Sequence, residues 1–287
     1  YTLVEADEFD RSFLHLNPTI ACITSIDADH LDVYNDASSL RDTYREFASQ
    51  VKETLFVEKN IPIAGLTYSV SEKADYYIDN IRPLSTGVQF DLNTPEGVYE
   101  NQFFNQLGVH NLSNALVALA MASKAGIPVA DLVKSLTNFP GVERRLQVLI
   151  DRKDRVLIDD YAHHPTEIKA VYETLNTSFP EDHKCVVFQP HLYSRTQDFM
   201  NEFAAALSLF DRVYLLDIYP ARELPIVGVT SAVLKEMILG TQVELISKEE
   251  MGVKLNLVKE RIVAILGAGD VGAEVEKIKL KMMQDEA

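Results

Sequence analysis

The chain has 287 residues, 47% of them apolar, and carries 43 acidic against 27 basic side chains for a formal net charge of −16. That length supports two domains with sizeable cores, and no uninterrupted apolar run is long enough to span a membrane, so no membrane insertion is expected. So acidic a balance excludes non-specific nucleic-acid binding and requires any anionic ligand to be met by a local positive site.

Residues 1–4, YTLV, read as a strand running into the acidic cluster EADEFD, which holds Glu5, Asp7, Glu8 and Asp10. A second apolar run, 20–24, leads into DADHLD with Asp27, Asp29, His30 and Asp32. Two strand ends that each deliver hard oxygen ligands, one with an added imidazole, suit magnesium or manganese. Residues 37–51 have helical character, and 55–58 and 66–70 look like strands. Residues 76–101 alternate in short pieces around SerThrGly and ThrProGluGly turns, the pattern of antiparallel hairpins. An alanine-rich helix is expected over 112–124, ended by Gly126 with Pro128 beyond. Asn111 and Asn114 are three apart and fall close together at its start. One of them serves as a cap on this reading, and the other calls for a different role. A further helix spans 129–136. The break at FPGVE, followed by Arg144-Arg145, places a domain boundary between 141 and 142. In so acidic a chain, that arginine pair is the natural candidate for phosphate contacts.

Beyond it, strands at 156–158, 186–188, 213–216 and 262–266 alternate with helices at 165–176, 197–209, 231–239 and 271–281. This is the signature of a doubly wound, mainly parallel α/β sheet. The stretch VLIDDYAHHPTEI organises this half. A buried strand ends in Asp159 and Asp160, then come Tyr161, His163 and His164, then a helix with Pro165 in its first turn. Ligands bind such folds in the crevice outside the carboxyl ends of the strands. A simple strand end and helix cap, using Asp160 or Thr166, needs only one of these polar residues. The next strands add Gln189, His191, Tyr193, Ser194 and Arg195, then Asp217, Tyr219, Arg222 and Glu223, on the same edge. Gly267, Gly269 and Gly272 form a G-x-G-x-x-G pattern. No later strand or ribose-binding acid follows it, so a tight strand–helix turn is expected there rather than a dinucleotide site. Cys22 and Cys185 lie in apolar runs without metal or redox spacing and read as buried thiols of a reducing cytoplasm.

EADEFD, SIDADHLD, GVHNLSNA, GVERR, DDYAHHPTEI, QPHLYSRT, DIYPARE and GAGD occur in this order, and together they resemble the Mur ligases over nearly the whole chain. The resemblance implies part of the family's central ATPase domain over 1–141 and its C-terminal Rossmann-like ligase domain over 142–287. It implies ATP-driven attachment of L-alanine to the carboxylate of UDP-N-acetylmuramate, through an acyl phosphate, in bacterial cell-wall synthesis in the cytoplasm. By the same resemblance Glu5 and His30 match ligands of Mg2+ (or Mn2+), and Asn111, Asn114, Arg145 and Asp160 match ATP-binding positions. Tyr161, His163, His164 and Arg195 fall where the amino acid and the activated carboxylate meet. Metals and arginines suit this chemistry, because phosphoryl transfer is mostly positioning and charge neutralisation.

The family's glycine-rich G-K-[ST] phosphate loop is absent from these residues, and so is the uridine-nucleotide domain. The 287 residues alone are therefore expected to be inactive as a ligase. Phe9 stands where the family more often has serine, and the regions after Lys59 and before Arg261 are shorter than the family's. Other classes remain open on the residues: a sister ligase that attaches a preformed peptide to UDP-N-acetylmuramate, a divalent-metal phosphoesterase built on DADHLD and DDYAHH, or a binding module without catalysis.

Overall fold

Strand residues alternate between two helical layers in both halves of the chain, and that alternation sets the architecture. The computed structural model describes residues 1–7, 9–26 and 37–284. It divides into Tyr1–Asn105 with Val109–Phe139, and Gln106–Gly108 with Pro140–Ala287.

In the first unit the elements run β1 (Ile20–Ile23), α1 (Ala37–Gln50), β2 (Thr54–Glu58), β3 (Leu66–Ser69), β4 (Tyr76–Leu84), β5 (Gly87–Thr94), β6 (Gly97–Phe104), α2 (Val109–Lys124) and α3 (Val129–Thr137). The sheet order is β1-β2-β3-β4-β5-β6. The first four strands pair in parallel and the last three form the two expected hairpins, each closed by two residues, Ser85-Thr86 and Pro95-Glu96. Leu55 and Val57 of β2 pack with Phe13 and with Phe47 of α1, while Phe56 between them packs with Leu112 and Leu116 of α2.

Two expectations fail here. Residues 1–4 form no strand, and Leu3 is exposed. An apolar run becomes a strand only when a neighbour completes its backbone hydrogen bonds, and among the described residues none does so. The second failure concerns the asparagines. Because α2 begins at Val109, Asn111 and Asn114 lie inside its first two turns and neither is the cap. Asn111 is half-buried and Asn114 exposed.

The second unit runs β7 (Gln147–Asp151), β8 (Val156–Asp160), α4 (Pro165–Ser178), β9 (Lys184–Phe188), α5 (Tyr193–Asp198), α6 (Met200–Leu207), β10 (Arg212–Leu215), α7 (Ser231–Met237), β11 (Gln242–Leu245), α8 (Lys248–Leu257), β12 (Ile262–Leu266) and α9 (Gly272–Gln284). The sheet order is β11-β10-β9-β12-β8-β7, parallel except for the β7 edge. Val156, Ile158, Val186 and Ala264 pack on the side of α4 and α6; Leu157, Cys185, Val187 and Val263 pack on the side of α8 and α9. This is the expected doubly wound sheet. The expected helix over 197–209 is two helices, α5 and α6, which meet at Phe199. The edge strands β7 and β11 and the helix α8 are additions to the sequence reading.

The sheet fixes where chemistry can sit. β12 returns between β8 and β9, so the loops after those three strands share one edge, and the loop after β10 lies beside them.

Candidate active site

β8 extends through both aspartates, and its pleat sends them apart. Asp159 follows Leu157 toward α9, and Asp160 follows Ile158 toward α4. Both are buried, at 3% and 6% exposure. Neither is a helix cap. That position belongs to His164, whose amide donates to Glu167 (2.9 Å), and the His163 amide donates to the same carboxylate (2.8 Å). Glu167 thus shapes the histidine loop. It was passed over in the sequence, although a glutamate three residues past a helix start is a known cap signal.

The arginine pair splits into two roles. Arg144 is committed internally. Its Nε lies 3.3 and 3.5 Å from the Asp159 carboxylate oxygens, its guanidinium lies 5.0 Å from the Tyr161 ring centroid, and Nη2 donates to the Gly267 carbonyl. Burial pushes the Asp159 carboxyl up to about 6, and the adjacent Arg144 charge pulls against that rise. Arg145 is exposed. The turn that carries both is held by Asp160, whose two oxygens accept from the Leu146 and Ala162 amides at 2.7 Å each. The Tyr161 amide donates to the Arg144 carbonyl (2.8 Å). Arg144 and Leu146 hold φ of 57° and 46°, a left-handed conformation that side chains normally avoid.

Around the edge, aromatic contacts order the remaining groups. Tyr161 and His163 meet edge-on at 5.3 Å, His163 and His191 at 6.0 Å, and His191 stacks on Tyr219 at 5.6 Å. His163 Nδ1 lies 2.9 Å from the Tyr161 carbonyl oxygen. His164 turns aside: its Nδ1 lies 2.9 Å from Thr166 Oγ1 and its ring packs edge-on against Phe199 at 4.6 Å. Burial, with help from the positive charge of Arg195 and from His163, lowers the His191 pKa from its ordinary value. Tyr161, His163, His191 and Arg195 therefore belong to one neighbourhood, while His164 is spent on the start of α4.

The glycines of the G-x-G-x-x-G run serve close packing. Gly267 adopts φ 143°, and a Cβ there would come within 2.8 Å of the Gln189 carbonyl oxygen. At Gly269 a Cβ would press into Gln189 Oε1 and the Tyr219 side chain, and at Gly272 it would lie 2.6 Å from Arg144 Nη1. Gln189 uses both ends of its amide, donating to Asp270 (2.8 Å) and accepting from the Val271 amide (2.9 Å). Gly269→Ala is expected to cost about 1–3 kcal/mol through overpacking and to move the Tyr219 ring off His191. A thermal melt beside the wild type checks the cost; an unchanged midpoint would show that the loop gives way freely.

In the first unit, Glu5 is an exposed carboxylate on a segment without regular structure. His30, with Asp27, Asp29 and Asp32, lies outside the described residues. Among the described residues no group of three or more His, Cys, Asp or Glu side chains is placed to hold a metal. In DDYAHH the reason is positive: Asp159 is paired with Arg144 and Asp160 is filled by amides, which removes the support this stretch lent to a metal phosphoesterase.

Two family descriptions match the chain: the Mur ligase middle domain over residues 4–122, and the Mur ligase glutamate ligase domain over residues 144–271. The chain belongs to the Mur ligase family. It is 48% identical over 285 residues to the UDP-N-acetylmuramate–L-alanine ligase of Christiangramia forsetii, covering 99% of this chain and 63% of that protein. It is 46% identical over 283 residues to the ligase of the same name from Flavobacterium psychrophilum, covering 98% and 63%. Among solved structures it resembles the UDP-N-acetylmuramate–alanine ligase of Thermotoga maritima, with a TM-score of 0.79 at 23% identity over 96% of this chain and 62% of that one. It also resembles the MurF ligase of the same organism, solved with ADP, with a TM-score of 0.70 at 18% identity over 96% and 65%. The chain thus spans about 63% of the length of the curated relatives it matches. No described helix is long and apolar enough to cross a membrane.

Proposed function

We propose that the protein to which this chain belongs joins L-alanine to the carboxylate of UDP-N-acetylmuramate at the expense of ATP, releasing ADP and phosphate. One observation carries the reading: 48% identity sustained over 99% of the chain, through both units, to a ligase of that name. ATP supplies the phosphoryl group that activates the sugar carboxylate, and the amine of alanine displaces phosphate from the acyl phosphate.

The chain's own residues fit parts of this task. Arg195 is a cation on a short, anchored helix, and a guanidinium suits a carboxylate through paired hydrogen bonds. His191, beside it, is an imidazole suited to accept a proton from an incoming ammonium group. Tyr161 and His163 wall the same neighbourhood. Arg145 is the exposed member of its pair and fits a phosphate. Asp160, with both oxygens engaged by amides, supports nucleotide binding by holding the turn that carries Arg145. Asn111 and Asn114, on neighbouring turns of α2, offer amide donors and acceptors to a base or ribose. Glu5 is a hard oxygen donor of the kind Mg2+ takes, and with His30 it would hold the ion that neutralises charge on the transferring phosphoryl group.

The test uses the full-length protein with UDP-N-acetylmuramate, ATP and Mg2+, and either L-alanine or a preformed peptide. ADP release that requires both the sugar nucleotide and L-alanine is the expected result. Release with the peptide but not with alanine would assign the protein to the sister ligases. Phosphate release without either acceptor substrate would overturn the ligase reading.

A further inference from the structure

α5 starts badly by its own means. The residue in its cap position is Leu192, at φ 70°, which has no side-chain acceptor to offer the free amides of the first turn. The acceptor comes instead from Glu223, twenty-nine positions beyond Ser194, in the loop after β10. Its carboxylate accepts from the Ser194 amide (2.9 Å) and from the Ser194 hydroxyl (2.5 Å). These bonds hold the Glu223 carboxyl below its ordinary range. The same two loops are joined again a few residues away. The Leu192 amide donates to the Tyr219 carbonyl (2.9 Å), the Tyr219 amide donates to the Pro190 carbonyl (2.8 Å), and the His191 and Tyr219 rings stack. Arg195 follows Ser194 directly, so the helix turn that Glu223 secures is the turn that carries Arg195.

We propose that Glu223 is a positioning residue for amino-acid binding: it caps α5 from the neighbouring loop and thereby fixes Arg195 and His191 relative to each other. The proposal rests on the reading of Arg195 as the partner of the amino-acid carboxylate. It names a role for the DIYPARE segment that no substrate contact would reveal, since Glu223 acts through Ser194 rather than on the ligand. A carboxylate at a helix N-terminus also interacts favourably with the helix dipole, which an uncharged isostere does less well.

The experiment is a comparison of Glu223→Ala and Glu223→Gln with wild type in the full-length protein, measuring KM for L-alanine and for ATP, kcat, and the thermal midpoint. In Glu223→Ala the KM for L-alanine is expected to rise by about tenfold or more while the KM for ATP stays within about twofold. Glu223→Gln, which keeps an acceptor oxygen but loses the charge, is expected to fall between. Amide exchange at Tyr193 and Ser194 should quicken in both variants while β9 stays protected. A KM for alanine that does not move, or KM values for both substrates that rise together with a lowered midpoint, would overturn the proposal. Wild-type protein that shows no alanine-dependent ADP release would instead sink the functional reading on which it rests. The amide exchange would then still decide whether Glu223 caps α5.

Discussion

Arg144→Ala is expected to destabilise the second unit strongly at neutral and alkaline pH and only mildly in weak acid. The cause is the carboxylate it leaves behind. Asp159 is buried and relies on the guanidinium 3.3 Å away for its charge. Its carboxyl lies at about 6 in the folded protein against a reference of 3.8. The folded state therefore binds more protons than the unfolded state between those values. The stability that Asp159 contributes is greatest below the unfolded value, falls as pH rises through the folded value, and is level above it. Removing Arg144 removes the attraction that restrains this rise, so the folded value climbs further and the loss extends to higher pH. At about pH 8 the variant should lose about 3 kcal/mol, the scale of breaking a buried pair. At about pH 5 Asp159 is largely protonated in both proteins, and the loss shrinks to about 1 kcal/mol for the missing carbonyl bond and ring contact. Thermal midpoints at the two pH values measure the difference. Adding Asp159→Asn to the variant should restore most of the alkaline loss. A deficit that is equal at both pH values would mean that the guanidinium acts by packing alone.

Asp160→Ala is expected to cost about 2–5 kcal/mol. It withdraws a charged acceptor from two backbone amides, Leu146 and Ala162, and leaves both of them enclosed without a partner. For a unit of this size that corresponds to a fall in midpoint of about 5 °C or more. The turn through Arg144, Arg145 and Leu146, with two residues in the left-handed region, loses the group that makes this conformation worth adopting. KM for ATP in the full-length protein should then rise together with the loss of stability. Arg145→Ala provides the contrast: its side chain is exposed, so the midpoint should stay put while KM for ATP rises. If Asp160→Ala lowers the midpoint and leaves ATP dependence unchanged, Asp160 is a structural residue only. If it raises KM for ATP at an undiminished midpoint, the carboxylate contacts the nucleotide directly and the positioning role is wrong.

The sequence by itself determined the family, the doubly wound second unit, the hairpins of the first, and the stretch around which the site is built. Those features are written locally. Apolar runs of VLI type, two-residue turns, a proline in a first helical turn and an unbroken series of motifs each occupy neighbouring positions. The tightness of the GAGD turn was legible for the same reason. The tertiary structure decided the roles within the motifs, because those depend on partners far away in the chain. DDYAHH reads as two acids, a phenol and two imidazoles gathered for one task. The fold sends Asp159 to Arg144, closes Asp160 on the backbone on both sides, turns His164 toward Thr166 and Phe199, and leaves Tyr161 and His163 at the edge. Nothing in the spacing of Arg144-Arg145 distinguishes the two arginines. One finds a buried acid fifteen positions on and the other faces outward. Edge strands such as Gln147–Asp151 and Gln242–Leu245 were missed, and residues 1–4 were misread, for a single reason. A strand is stabilised by its neighbour's hydrogen bonds, and the sequence of one segment does not say whether that neighbour is there.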